Sequence, residues 1–117
     1  MGKVTIYHNP RCSKSRQTLE IIKSCSHEPE IVLYLQEPPS AATLDSLFAA
    51  MGKEPLEVMR TGEKRFKELD LSKKDERSRG EWLKIIAENP VLLERPIVVY
   101  ENKVALGRPP ENVLDIL

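Results

Sequence analysis

Residues 3–7 (KVTIY) and 31–35 (IVLYL) are short runs of β-branched, aromatic and aliphatic residues separated by a stretch of helical periodicity. No other feature limits the possible folds so sharply. Strand, helix, strand reads as a βαβ unit, whose crossover is right-handed by the general chirality of such connections. In the intervening helix Ser15, Thr18 or Leu19, Ile22 and Cys25 recur three or four residues apart. That spacing predicts one stripe, Cys25 included, lying on the sheet while Lys14, Glu20 and Lys23 face water.

Beyond residue 38 the pattern turns helical. Ser40 is placed to cap a helix carrying Leu44, Leu47, Phe48 and Met51 on one stripe, Gly52 to end it, and Pro55 to open the next turn. The charged run 63–79 reads as solvated helix surface and loop. Ser78 and Glu81 have capping-box spacing ahead of Trp82, Leu83, Ile85 and Ile86, which predicts a further amphipathic helix with Trp82 in the core. Residues 97–100 and 104–106 are strand-like and joined by Glu101, Asn102 and Lys103, so they should form an antiparallel hairpin. Pro109 and Pro110 then introduce a last helix over 111–117, with Val113, Leu114 and Leu117 facing inward. The sum is an α/β chain read as a single domain over 1–117: a four-stranded mixed sheet with a helical insertion at about 39–90.

Composition narrows the function. Eighteen basic residues balance eighteen acidic ones, so no global field draws the chain to nucleic acid or an anionic membrane. No apolar run approaches the roughly 18 residues of a membrane span, and the N-terminus lacks the apolar core of an export signal. The two cysteines, Cys12 and Cys25, are too few for a secreted disulfide framework and match no zinc spacing, so no metal and a cytoplasmic location are expected.

Cys12 falls in the turn between the first strand and the first helix, where unpaired amides and the positive end of the helix dipole favour an anion. Arg11, Lys14 and Arg16 crowd the same turn. A free thiol with a pKa near ~8.5 is mostly protonated at neutral pH, and each unit of depression requires about 1.4 kcal/mol of preference for the thiolate. A helix terminus and one or two nearby cations can supply that. Where dithiol oxidoreductases carry a second cysteine, this chain has Ser15, so no local disulfide can close and an outside thiol such as glutathione must complete any reduction. The Ser15 hydroxyl is left as a possible donor to the thiolate.

The string Tyr7-His8-Asn9-Pro10-Arg11-Cys12-Ser13-Lys14-Ser15-Arg16 closely resembles the N-terminal signature of the glutaredoxin-linked arsenate reductases. The similarity continues through Glu28-Pro29, Tyr34-Leu35, Val58-Met59-Arg60, Arg95-Pro96-Ile97-Val98-Val99 and Gly107-Arg108-Pro109. The resemblance implies a thioredoxin/glutaredoxin-like fold and a reaction in which Cys12 attacks arsenate, after which glutathione and then glutaredoxin release arsenite. It assigns oxyanion binding to Arg60, Arg95 and Arg108, whose guanidinium forks suit a tetrahedral anion.

It further implies a cis bond before Pro96, which would set Arg95 beside Cys12, and supporting roles for His8, Ser15 and Arg16, with the His8 imidazole able to bond Ser15 or help hold the thiolate. No bound cofactor and a monomer are the expectations, with glutathione as co-substrate. His27 reads as a surface residue and Cys25 as packing. Two other readings share the fold: an Spx-like regulator that binds RNA polymerase, against which the absence of a CXXC pair argues, and a glutathione-binding thiol-transfer protein without an oxyanion substrate.

Overall fold

The computed structural model describes residues 3–117, and they cluster into two compact units. One comprises the chain up to Glu37 together with Arg95–Leu117; the other is Pro38–Glu94, inserted between the second and third strands.

In the first unit β1 (Val4–Tyr7), β2 (Glu30–Val32), β3 (Ile97–Tyr100) and β4 (Lys103–Leu106) form one sheet in the order β2-β1-β3-β4. β1 pairs parallel to β2 and antiparallel to β3, and β3 and β4 form the expected hairpin. The mixed sheet and the crossover helix α1 (Ser13–Ser24) make this a thioredoxin-like fold. Val4 and Ile6 alternate onto one face, and Ile6 pairs with Val98. Those three meet Ile22 of α1 and Val113 of the C-terminal segment in the buried core. Each such aliphatic side chain contributes on the order of 1.5–3 kcal/mol when removed from water.

Three expectations for this unit are corrected. β2 ends at Val32 instead of reaching Leu35, because the chain turns at Leu33, whose carbonyl accepts from the amides of Gln36 and Glu37. The turn buries Tyr34 and leaves Leu35 45% exposed. The last segment, Pro110–Asp115, is a 3₁₀ helix. With about three residues per turn, Pro110, Val113 and Ile116 share its inner face, and Leu114 points outward. Finally, Cys25 is exposed, not packed. The helix stops at Ser24, Cys25 becomes its C-cap, and Ser26 takes a left-handed φ of 67° that swings the chain away before the stripe reaches the cysteine. The buried stripe is Ser15, Thr18 and Ile22.

The second unit carries α2 (Ala41–Met51), α3 (Lys64–Glu68) and α4 (Arg79–Glu88), with short 3₁₀ turns at Pro55–Val58 and Pro90–Leu92. Ser40 accepts from the Thr43 amide at 3.1 Å, and Gly52 closes α2 in the left-handed region at φ 69°, where a side chain would be strained. Ser78 and Glu81 form the predicted capping box. Leu44, Leu47 and Phe48 of α2 and Trp82, Leu83 and Ile86 of α4 are buried. Arg79 ties the start of α4 to this unit through Asp45 at 2.8 Å and Glu54 at 3.0 Å. No helix among the described residues is long and apolar enough to cross a membrane.

Candidate functional site

β1 ends at Tyr7 and α1 begins at Ser13, so residues 8–12 form a short loop that delivers Cys12 to the N-cap position of the helix. The loop is fixed by its own polar groups. The Cys12 amide donates to the Asn9 carbonyl at 3.0 Å, the Arg11 amide to Asn9 Oδ1 at 3.0 Å, and Arg16 Nη1 to the Pro10 carbonyl at 2.8 Å. Arg16 thus supports the loop's shape. The His8 amide donates to Val32 at 2.8 Å and anchors the loop's start to β2.

The Cys12 side chain is 8% exposed and makes no conventional cap hydrogen bond. Burial pushes its pKa up, but the Ser15 amide, the Arg95 charge, the Lys14 amide and Arg108 together outweigh burial and bring it below the ordinary thiol value. Arg108 Nη1 lies 4.0 Å from Cys12 Sγ and also donates to the Arg95 carbonyl at 2.9 Å. The Arg95–Pro96 bond is cis, as the resemblance implied, and so is Arg108–Pro109.

Of the two roles expected for the Ser15 hydroxyl, the structure shows the bond to His8 and not the donation to sulfur. Its hydroxyl is engaged by His8 Nδ1 at 2.6 Å and accepts from the Asn9 amide at 3.1 Å; its backbone amide is the group that favours the thiolate. The Ser15 oxygen has lone pairs enough to accept from Asn9 and from a second donor, so the short His8–Ser15 bond forms with either neutral tautomer of the ring. The neutral ring is favoured, since burial and the charges of Arg16 and Lys23 lower the His8 pKa. The pair therefore braces the first turn of α1 from behind.

Cys12, Arg95, Arg108, His8, Ser15, Arg16 and Pro96 all belong to the first unit. Arg60 belongs to the second, where its amide donates to the Leu92 carbonyl at 2.7 Å and its guanidinium pairs with Glu63 at 2.9 Å and Glu94 at 3.9 Å. Sequence reasoning gave Asn9 no role and took Lys14 only as a nearby cation. The signal for Asn9 was available, since an Asx residue two before an amide in a turn commonly caps it with its side chain. Lys14 acts through its backbone, which no side-chain pattern reports. Among the described residues no group of three His, Cys, Asp or Glu is placed to hold a metal ion.

A single buried cysteine at a helix start, with its pKa lowered by neighbouring amides and guanidinium groups, stands on a thioredoxin-like sheet. The model of the ArsC family matches residues 7–116, and the chain belongs to that family. It is 48% identical over 116 residues to the uncharacterized protein YfgD of Escherichia coli, covering 98% of this chain and 97% of that one. To a protein named arsenate reductase from Haemophilus influenzae it is 44% identical, covering 97% of this chain and 98% of that one. The solved structure of an arsenate reductase from Vibrio cholerae superposes with a TM-score of 0.93 at 42% identity, covering 99% of this chain and 98% of that one.

Proposed function

We propose that the chain is an arsenate reductase in which Cys12 is the nucleophile and glutathione and glutaredoxin supply the electrons. The observation that carries this reading is the Cys12 sulfur at the amino end of α1, with its pKa depressed by the Ser15 and Lys14 amides and by Arg95 and Arg108. The 40–48% identity to relatives that include proteins named arsenate reductase supports the choice of substrate.

The Cys12 thiolate attacks the arsenic of an arsenate monoanion or dianion, and one arsenate oxygen leaves as water after protonation, giving a Cys12–S–As(V) adduct. The charge that builds on the remaining oxygens is met by the guanidinium donors of Arg95 and Arg108. Glutathione then adds to arsenic with loss of a second water. A glutaredoxin thiol attacks the glutathione sulfur; the S–As electron pair stays on arsenic, which becomes As(III), and the two donor sulfurs leave as a mixed disulfide. Hydrolysis of the Cys12–As bond releases arsenite and restores the thiol. Two donor thiols are oxidised for each arsenic reduced, so no disulfide within this chain is needed, in keeping with Ser15 at the second position.

A cleft of about 360 Å³ beside the loop, lined by His8, Asn9, Pro10, Arg11, Leu33, Leu35 and Gln36, offers room for a small thiol to approach. The protein acts as a monomer in the cytoplasm in this reading. The test is arsenate-dependent NADPH oxidation with glutathione, glutaredoxin and glutathione reductase. Turnover that needs arsenate and both thiols supports the assignment. Turnover with thioredoxin alone would replace the donor, and none with any donor would remove arsenate as the substrate.

A further inference from the structure

Three of the groups that hold the Cys12 thiolate come from separate segments: the first turn of α1, Arg95 before β3 and Arg108 after β4. The neighbours of these groups meet at one point. Thr18, one turn into α1, is fully buried and its hydroxyl donates to the Lys14 carbonyl at 2.8 Å. Pro96 follows Arg95, and Gly107 precedes Arg108. The Gly107 amide donates to the Pro96 carbonyl at 2.9 Å. A Cβ placed on Gly107 would lie 2.7 Å from Thr18 Oγ1, 2.8 Å from Pro96 Cγ and 3.2 Å from Thr18 Cγ2. None of these atoms is the tip of a flexible chain: one belongs to a ring, the others to a β-branched residue buried in a helix.

We propose that Gly107 is a positioning residue for the thiol chemistry: by lacking a Cβ it lets Thr18 and Pro96 close around it, and this three-way contact seats Arg108 between the Arg95 carbonyl and the Cys12 sulfur. The contact is one residue from Arg108 in the chain, so a displacement there is passed mainly to that guanidinium. Gly107 lies in buried surroundings, and no left-handed φ is recorded for it, so its requirement is for space and not for backbone freedom. Arg108 is the most sensitive of the three groups, because its bond to the Arg95 carbonyl at 2.9 Å and its 4.0 Å approach to sulfur are both made by the same nitrogen. The inference rests on Cys12 working as a thiolate, as proposed above, but not on arsenate being the substrate.

The experiment follows iodoacetamide alkylation of Cys12 against pH in a Cys25→Ser background. Gly107→Ala should slow alkylation at pH 6.5 by about tenfold while leaving the high-pH plateau unchanged, since fewer sulfurs are ionised but the thiolate itself is intact. In an Arg108→Ala background the same substitution should change the rate less than about twofold, because the group it acts through is gone. Thr18→Ala/Gly107→Ala should fall between Thr18→Ala and Gly107→Ala, since the Pro96 contact remains.

A folded Gly107→Ala with the native profile overturns the proposal, and so does an equal slowing in the Arg108→Ala background, which marks a general loss of packing. Should Gly107→Ala not fold, the Thr18→Ala pair decides: a double variant that alkylates as fast as Thr18→Ala alone also overturns it. Should native Cys12 alkylate readily at pH 6.5 in protein that does not turn over arsenate, the substrate reading fails and the Gly107 proposal is unaffected.

Discussion

The start of α1 and the start of α4 solve the same problem in opposite ways. Both helices leave amides without partners in the helix itself. At α4 the Ser78 hydroxyl accepts from the Glu81 amide at 3.2 Å and the Glu81 carboxylate returns to the Ser78 amide at 3.1 Å, so the end is closed by a reciprocal box. At α1 the cap position is held by Cys12, no acidic residue stands in the first turn, and the amides of Ser15 and Lys14 favour a sulfur anion instead. A closed end contributes to stability; an end with a thiol in the cap position stores the same donors for a reactive charge. The contrast turns a routine structural position into a chemical one.

Exchanging the two solutions tests it most severely. Cys12→Ser should lower arsenate-dependent turnover by at least about 10³-fold, because a hydroxyl of ordinary pKa is not ionised in the working range. The same variant should gain about 0.5–1 kcal/mol of stability at any pH low enough to protonate the native thiol, since serine caps the helix better than a neutral thiol. Activity and thermal melting, measured on one preparation, check both halves. A variant that stays active would erase the distinction between the two helix starts.

The next effect in size separates the guanidinium contribution from that of the amides. Arg108→Ala should slow Cys12 alkylation at pH 6.5 by about tenfold with the far-ultraviolet circular dichroism unchanged, since Arg108 is half-buried and its side chain meets the sulfur and one carbonyl. An unaltered rate would assign the thiolate's stability to backbone amides alone. By comparison, Ser78→Ala should cost about 1 kcal/mol in urea unfolding and leave the alkylation profile as it was, because a cap acts locally.

The smallest effect is the pH dependence of stability. The folded pKa of Cys12 lies below its ordinary value of 9.0, so the folded state binds fewer protons than the unfolded state in the interval between the two. Stability from the thiolate is fully present above the ordinary value and is lost as pH falls through the folded one. His8, whose pKa is lowered from 6.5, adds a second loss as pH drops below 6.5, since its protonated form is favoured only on unfolding. Urea midpoints should therefore decline on acidification, the upper part of the decline absent in Cys12→Ser and the lower part in His8→Asn. A decline unaltered in either variant would assign the pH dependence to other groups.

How much of this was legible in the residues depends on whether the signal was local. The strand-helix-strand unit, the hairpin, the Ser40 and Ser78 caps and the Gly52 stop all follow from short-range rules, and the structure shows each of them, with β2 ending three residues early. The lowered thiol pKa of Cys12 was readable too, because the cysteine stands among Arg11, Lys14 and Arg16 in a strand-to-helix turn. What was misread depended on where an element stops. Cys25 continued the helical stripe on paper, and only the left-handed Ser26 took it off the sheet. Leu114 kept α-helical spacing in a segment that winds as a 3₁₀ helix. Ser15 was credited with a hydroxyl contact to sulfur, whereas the nearer imidazole of His8 takes that hydroxyl and leaves the amide to do the work. Gly107 was read only as part of the Gly107-Arg108-Pro109 stretch, because the reason for its lack of a side chain lies in Thr18 and Pro96, elsewhere in the chain.

The central claim is that Cys12 is held as an anion by the end of a helix and by Arg95 and Arg108. The rate of iodoacetamide alkylation against pH, followed at Cys12 in a Cys25→Ser background with free glutathione as the reference thiol, tests it directly. The expected half-maximal rate lies at a pH well below that of glutathione, with a single inflection. A native Cys12 that tracks glutathione, or that resists the reagent until the protein unfolds, would contradict it.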